Sequence, residues 1–450
     1  MQTDSYDLPV HGDGVKWSTT AWLMLGLASL IAAGIFSILL VLARTPLVSA
    51  WIPFIDFFHV ALVVHVTLSV LIWLLSISAA MWSLGAERDA WLWDKASFLL
   101  AAGGAAAVVF APFIGAGNPQ MSNYVPVLQN PVFFWGLSLF GIGVASHLLR
   151  ALLTRTPLGP SLSGTGSLQA GISLSAVLTG ISIASIAASY VGTPQTMDGQ
   201  IYYEFLFWGG GHVIQFSYTL LMMVSWVVLA NASACRFELT PRLTLVFLVF
   251  LSLPVITVPF LYLAHDVVSA GHRLAFTELM KYGGLSCLPL GLAVLASVWS
   301  AGKAEGEGVY LRAALVSSLG LFAVGGVLGF MIAGLDIVIP AHYHGATVGV
   351  TIAFMGLTYY LLPRLGFGPL PARMAFWQPW LYGGGQLTHI IGLAWTGGYG
   401  VQRKTAGAAQ GVDRIGEIAG MGLMGFGGLI SVIGGLLFLI VCYKSIRRVR

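Results

Sequence analysis

The sequence has 450 residues, of which 57% are hydrophobic and 8% charged, and its mean hydropathy is +0.86. So few charges cannot coat a soluble domain of this size, which excludes a water-soluble globule and leaves an integral membrane protein with the lipid bilayer as its first partner. The net charge of +4 is no nucleic-acid signal, and three scattered cysteines, Cys235, Cys287 and Cys442, exclude a disulfide framework and a CxxCH attachment site, so that any haem is held non-covalently.

Residues 1–19 form a polar leader carrying Asp4, Asp7 and Asp13. No small-residue cleavage signature follows, so the first apolar run reads as a retained helix rather than a signal peptide. Apolar runs long enough to cross about 30 Å of hydrocarbon, roughly 20 residues each, recur along the sequence. They predict twelve helices at about 20–43, 53–82, 94–116, 130–152, 167–190, 204–230, 243–265, 274–299, 309–335, 338–362, 377–399 and 416–442. Unbroken runs of this length are helices rather than the short alternating strands of a barrel, and helices satisfy their backbone groups within lipid. The predicted fold is an all-α bundle of twelve transmembrane helices over residues 20–442, followed by a basic tail at 443–450. An even number of spans puts both termini on one side, and fifteen of the 21 Lys and Arg fall there. The positive-inside rule makes that side cytoplasmic, in a bacterial inner membrane. The 56 glycines suit close helix packing, as in GGLISVIGGLL at 427–437.

Ten histidines occur. On the predicted topology His59 and His65 of helix 2, His212 of helix 6, His342 and His344 of helix 10 and His389 of helix 11 fall at similar depth toward the outer face. A histidine inside a membrane segment is costly and marks either function or a hydrogen-bonded packing residue. The stretch AHYHG narrows the choice, because residues i and i+2 of a helix point about 200° apart. His342 and His344 therefore serve two centres, one on each face of their helix. Haem suits such a bundle: one imidazole leaves the iron an open side for a small gas, and two make an electron carrier.

These residues resemble the haem-copper oxidase superfamily, catalytic subunit I, in its cbb-type cytochrome c oxidase and nitric oxide reductase forms, over essentially the full chain. The resemblance implies a twelve-helix fold with two haems of b type. Within it AHYHG supplies the ligand of the high-spin haem, His342, and one ligand of the low-spin haem, His344, while VVHVTLSVLIW on helix 2 supplies the other, His65. THIIGLAWTGGYGVQRKT resembles the segment over the haem propionates, which implies that Arg403 and Lys404 meet those carboxylates and that His389 lies near the haem edge. FWGGGHVIQFSYT offers His212 as a ligand of a second metal, copper or non-haem iron, and its glycines either bring backbone to a haem face or only pack.

The pattern departs from the family at that second metal, which takes two adjacent histidines on helix 7. The sequence has no His-His pair. Registered on AFTELMKYGG, the expected pair falls at Leu261 and Tyr262. His265 and His272 follow, and one of them would have to fold back to reach the metal. Ile214, Gln215 and Phe216 stand where the family places an acid or a tyrosine after the helix 6 histidine. His65, His212, His265, His342 and His344 are thus the candidate metal ligands, with Tyr262 and Gln215 as candidate catalytic groups.

The expected function is a membrane oxidoreductase. Electrons enter from a cytochrome c-type donor or subunit on the outer side, pass through the low-spin haem, and reduce O2 or NO at the high-spin haem. Glu204, Glu278 and Asp336 lie toward the outer side, which predicts protons taken from outside with little or no pumping. The missing histidine pair supports a second reading, a copper-lacking dihaem protein that carries electrons or binds gas without turnover. A transporter that relays protons through midmembrane histidines is a third.

Overall fold

The computed structural model describes residues 5–44, 57–86, 90–115, 117–155, 162–333, 337–399 and 414–448. Arg403, Lys404 and Asp336 lie outside the described residues. The chain divides into two compact units, one of Leu8–Leu221 with Pro241–Cys287, the other of Met1–Asp7, Met222–Thr240 and Leu288–Arg450.

Twelve long helices run through these units. They are α1 (Asp13–Arg44), α2 (Phe57–Leu84), α3 (Trp91–Phe113), α4 (Pro131–Leu153), α5 (Gly164–Gly192), α6 (Gly199–Ala232), α7 (Pro241–Ala264), α8 (Ala270–Trp299), α9 (Gly308–Phe330), α10 (Val338–Arg364), α11 (Ala372–Gly397) and α12 (Ile415–Ile446). Eleven are long and apolar enough to cross a membrane among the described residues. The remaining helix, α11, has 26 residues, but Arg373, Gln378, Gln386 and His389 dilute its apolar character. The protein is an integral, multi-pass, all-α membrane protein, as its sequence predicts.

Helix starts follow local chemistry. The Asn130 side chain accepts from Val132 N at 2.8 Å, just ahead of Pro131, whose missing N–H costs nothing in the first turn. Ser163 Oγ caps α5 by accepting from Gly166 N at 3.0 Å, and Ser269 Oγ caps α8 by accepting from His272 N at 3.1 Å.

In the first unit, α2 is interrupted at Thr67–Ile72 by a π-turn, which begins two residues after His65. Such turns are rare and concentrate at functional sites. Helix α7 is also broken: a tighter turn spans Leu253–Thr257, and Pro254 and Pro259 remove backbone donors there. A new helical segment, Val258–Ala264, then carries Tyr262. The α3–α4 connection contains an antiparallel hairpin, β1 (Asn118–Gln120) and β2 (Val127–Gln129), with Asn118 opposite Gln129. Deeper in this unit Asp94 of α3 is buried beside Arg150 and His147 of α4. Arg150 Nη2 donates to Asp94 Oδ2 at 2.7 Å, with the two side chains 0% and 1% exposed, a pairing that makes burial of both charges tolerable.

In the second unit, Ala314 and Leu321 of α9, Ala341, Val348 and Ile352 of α10 and Ile390 and Leu393 of α11 share one apolar core. Small residues bring the backbones together around it. A Cβ on Gly434 of α12 would lie 2.5 Å from Tyr382 N of α11, so the predicted packing role of the 427–437 run holds.

Candidate haem-ligand and second-metal sites

The AHYHG stretch enters α10 in its second turn, and its two histidines leave the helix toward different neighbours. His342 turns to α9, where its Nδ1–H donates to Gly325 O at 2.7 Å. Gly329, one turn on, clears space for the ring: a Cβ there would lie 2.7 Å from His342 Nδ1. His344 turns to α11, its ring centroid 5.0 Å from that of His389 at an interplanar angle of 61°. His389 in turn donates from Nδ1 to Met424 O of α12 at 2.9 Å. The divergence is the one expected of positions i and i+2.

His65 of α2 repeats the arrangement in the other unit, its Nδ1–H donating to Ala33 O of α1 at 2.9 Å. A carbonyl can only accept, so each of these imidazoles carries its proton on Nδ1 and presents Nε2 as a lone pair. Among the described residues nothing bonds Nε2 of His65, His342 or His389. Metal-ligating histidines are commonly oriented this way, one nitrogen tied to a carbonyl and the other left for the metal.

His212 of α6 is built differently. Its Nδ1–H donates to Trp208 O, one turn earlier, at 2.7 Å. Its Nε2 accepts from the Tyr124 hydroxyl at 2.9 Å. Tyr124 arrives from the connection between β1 and β2, and Gln215 also hydrogen-bonds its side chain. Because the Tyr124 proton points at His212, the Gln215 amide donates to the phenol oxygen. Burial holds the Tyr124 hydroxyl well above the usual phenol range, Gln215 pulls against this, and the charge of Glu204 adds to it. The phenol is a fixed hydrogen donor.

The three glycines before His212 resolve in favour of packing. A side chain on Gly209 would collide with the Tyr262 hydroxyl, on Gly210 with Ile186, and on Gly211 with the Tyr124 ring. Tyr262 is held over Gly209 by Ser189 Oγ at 2.8 Å and donates to Ser185 O at 2.8 Å. His272 lies in the first turn of α8, 0% exposed, with its ring centroid 5.0 Å from Tyr262 and 4.8 Å from Phe276. Among the described residues neither of its ring nitrogens has a hydrogen-bond partner. His265 ends α7 half-buried against Gly271, so of the two histidines after helix 7 it is His272 that turns inward. Tyr124 is the residue that sequence reasoning passed over, and of the two histidines it weighed after helix 7 it set His265, not His272, among the candidate ligands. Nothing local marks Tyr124, whereas Ser269 three residues before His272 is a readable helix start.

Residues 18–437 match the family described as cytochrome c and quinol oxidase polypeptide I. The chain belongs to the haem-copper oxidase subunit I family. An uncharacterized protein of Rickettsia prowazekii is 30% identical over 94% of this chain and 95% of its own length, and one of Aquifex aeolicus is 30% identical over 77% of this chain and 85% of its own. In three dimensions the chain resembles a heme-copper terminal oxidase dimer solved by cryo-EM, with a TM-score of 0.73 and 15% identity, covering 97% of this chain and 84% of that one. A likeness at that identity speaks for the fold alone, which is that of a haem-copper oxidase subunit I.

As a member of this family the protein is a membrane haem oxidoreductase by descent, and the tethered histidines fit haem. The second metal does not fit the residues present. Both nitrogens of His212 are engaged, the positions of the expected pair hold Leu261 and Tyr262, and among the described residues no three His, Cys, Asp or Glu side chains converge as metal ligands. His265, a candidate ligand from sequence, therefore has no ligand set to join among the described residues.

Proposed function

We propose that this haem-copper oxidase subunit I passes electrons from a low-spin haem ligated by His65 and His344 to a high-spin haem ligated by His342, where O2 or NO is bound and reduced. The observation that carries the reading is the Nδ1 tether of His342 to Gly325 O and of His65 to Ala33 O, which leaves each Nε2 as the ligating atom. Bound haem would supply electron transfer and, on His342, a site for a diatomic gas.

The chain's own residues orient and bind. The α9 backbone fixes the plane of the His342 ring, and His389, held by Met424 O, packs edge-on against His344. Arg403 and Lys404 meet haem propionates by charge-assisted hydrogen bonds. Electrons come from a cytochrome c-type donor on the outer side, and protons come from that side too. The haems are of b type, and the membrane is a bacterial inner membrane with both termini cytoplasmic.

A second reading, a dihaem protein that carries electrons or binds gas without turnover, is favoured by the engagement of both His212 nitrogens. A haem inventory of the purified protein tests the first step common to both, and two haems per chain are expected. A CO difference spectrum then tests for the open position on His342. Consumption of O2 or NO by the reduced protein supports the enzyme reading, and a dihaem protein that consumes neither supports the second. A preparation without haem absorbance sinks both.

A further inference from the structure

We propose that Tyr124 and Tyr262, seated in the gaps left by Gly211 and Gly209, stand in this chain where the family holds its second metal, and that Tyr124 withholds His212 Nε2 from any metal by donating a hydrogen bond to it. The inference rests on the family assignment and not on the haem ligands.

The two tyrosines come from separate elements, one from the α3–α4 hairpin and one from the helical segment after the breaks in α7. Each meets a residue of α6 that has no side chain, and either seat would be closed by a methyl group. Each hydroxyl also ends on a defined acceptor, Tyr124 on His212 Nε2 at 2.9 Å and Tyr262 on Ser185 O at 2.8 Å. Registered on AFTELMKYGG, Tyr262 falls at one of the two positions where the resemblance to the family leads one to expect a metal-binding histidine. A phenol there with its proton committed to a carbonyl is no ligand, because a metal needs the deprotonated oxygen.

The remaining imidazole of the cluster, His272, faces the Tyr262 and Phe276 rings. Among the described residues no three His, Cys, Asp or Glu side chains form a group here, so a divalent ion would lack the three or more donors that a stable site requires. Tyr124 is thus a positioning residue that acts through His212. It fixes the imidazole in the Nδ1–H form, with Trp208 O holding the other end.

The test uses the full-length protein purified with its haems. Copper content is measured after anaerobic incubation with Cu(I) and desalting, for the native chain and for His212→Gln. Histidine 15N spectra are recorded for the native chain, His212→Gln, which identifies the His212 signals, and Tyr124→Phe, which keeps the ring in its seat and removes only the hydroxyl. The expected result is no copper above background in the native chain, a protonated Nδ1 and hydrogen-bonded Nε2 for His212, and a shift of the Nε2 resonance in Tyr124→Phe. Stoichiometric copper in the native chain that is lost in His212→Gln overturns the proposal, as does a His212 Nε2 resonance that Tyr124→Phe leaves in place. Haem content measured on the same samples separates the two conclusions, since a haem-free chain with the expected His212 signals would sink the proposed function and leave this inference standing.

Discussion

The histidines of α10 and α11 and those around α6 solve opposite problems with the same side chain. His342 and His389 each commit Nδ1 to a backbone carbonyl of the neighbouring helix, and among the described residues nothing bonds their Nε2. His212 commits both nitrogens, and His272 is buried with neither committed among the described residues. An imidazole with one nitrogen tied can offer the other to a ligand or metal, whereas one with both nitrogens tied has none to offer. Burial and depth, the usual clues to an intramembrane ligand, do not separate these cases. Hydrogen-bond accounting at the two nitrogens does.

That contrast can be broken most directly at His342. His342→Ala should abolish the CO difference spectrum and lower haem from two to one per chain in a pyridine haemochrome assay, and retention of both haems would remove the distinction. A smaller effect is expected at the other pole, from Gly211→Ala. The new methyl group must displace the Tyr124 ring, and overpacking of this kind costs about 1–3 kcal/mol. The thermal unfolding midpoint in detergent should fall while haem content stays at the native level. Loss of haem instead would mean that the α6 cluster supports the cofactor.

Tyr262→Phe sharpens the comparison further. It removes the hydrogen bonds to Ser185 O and Ser189 Oγ but keeps the ring over Gly209, so stability should drop by about 1 kcal/mol. His272→Phe should have the smallest effect and the opposite sign. Exchanging a buried imidazole without partners for a ring of similar shape removes an unsatisfied polar group, and such exchanges are neutral to stabilising. A clear fall in the unfolding midpoint would show that His272 binds something in the native protein.

Much of the architecture was legible because lipid leaves so few options. Twelve apolar runs became twelve helices, and even the weakest of them, α11, formed despite Gln378 and His389. The divergence of His342 from His344 was likewise a matter of helical arithmetic, which burial could not alter. The limits of that legibility lie where tertiary approach decides. The apolar run at 243–265 predicts one helix, yet Pro254 and Pro259 break α7 into two segments. The apolar run of helix 8 begins only at about 274, whereas Ser269 caps the helix early enough to include His272. Tyr124 was out of reach for a different reason. Its connection carries two three-residue strands, too short for any periodic signal, and its destination is written 87 positions away, in a glycine whose own use could not be told from that of its neighbours.

The glycine triplet of α6 also bears on how such a chain can change over generations. With Gly209 and Gly211 filled by aromatic groups from two distant segments, metal binding on the register of AFTELMKYGG would require histidines at 261 and 262 together with withdrawal of the phenol from His212. Replacing Tyr262 alone empties the Gly209 seat and leaves a void, and replacing Leu261 alone adds a lone histidine with no partner to complete a site. Neither single step gains function, and the first loses stability. Lineages that carry this arrangement are therefore expected to keep it, so that a glycine at 211 with a tyrosine in the α3–α4 hairpin should travel together as one inherited character among its relatives.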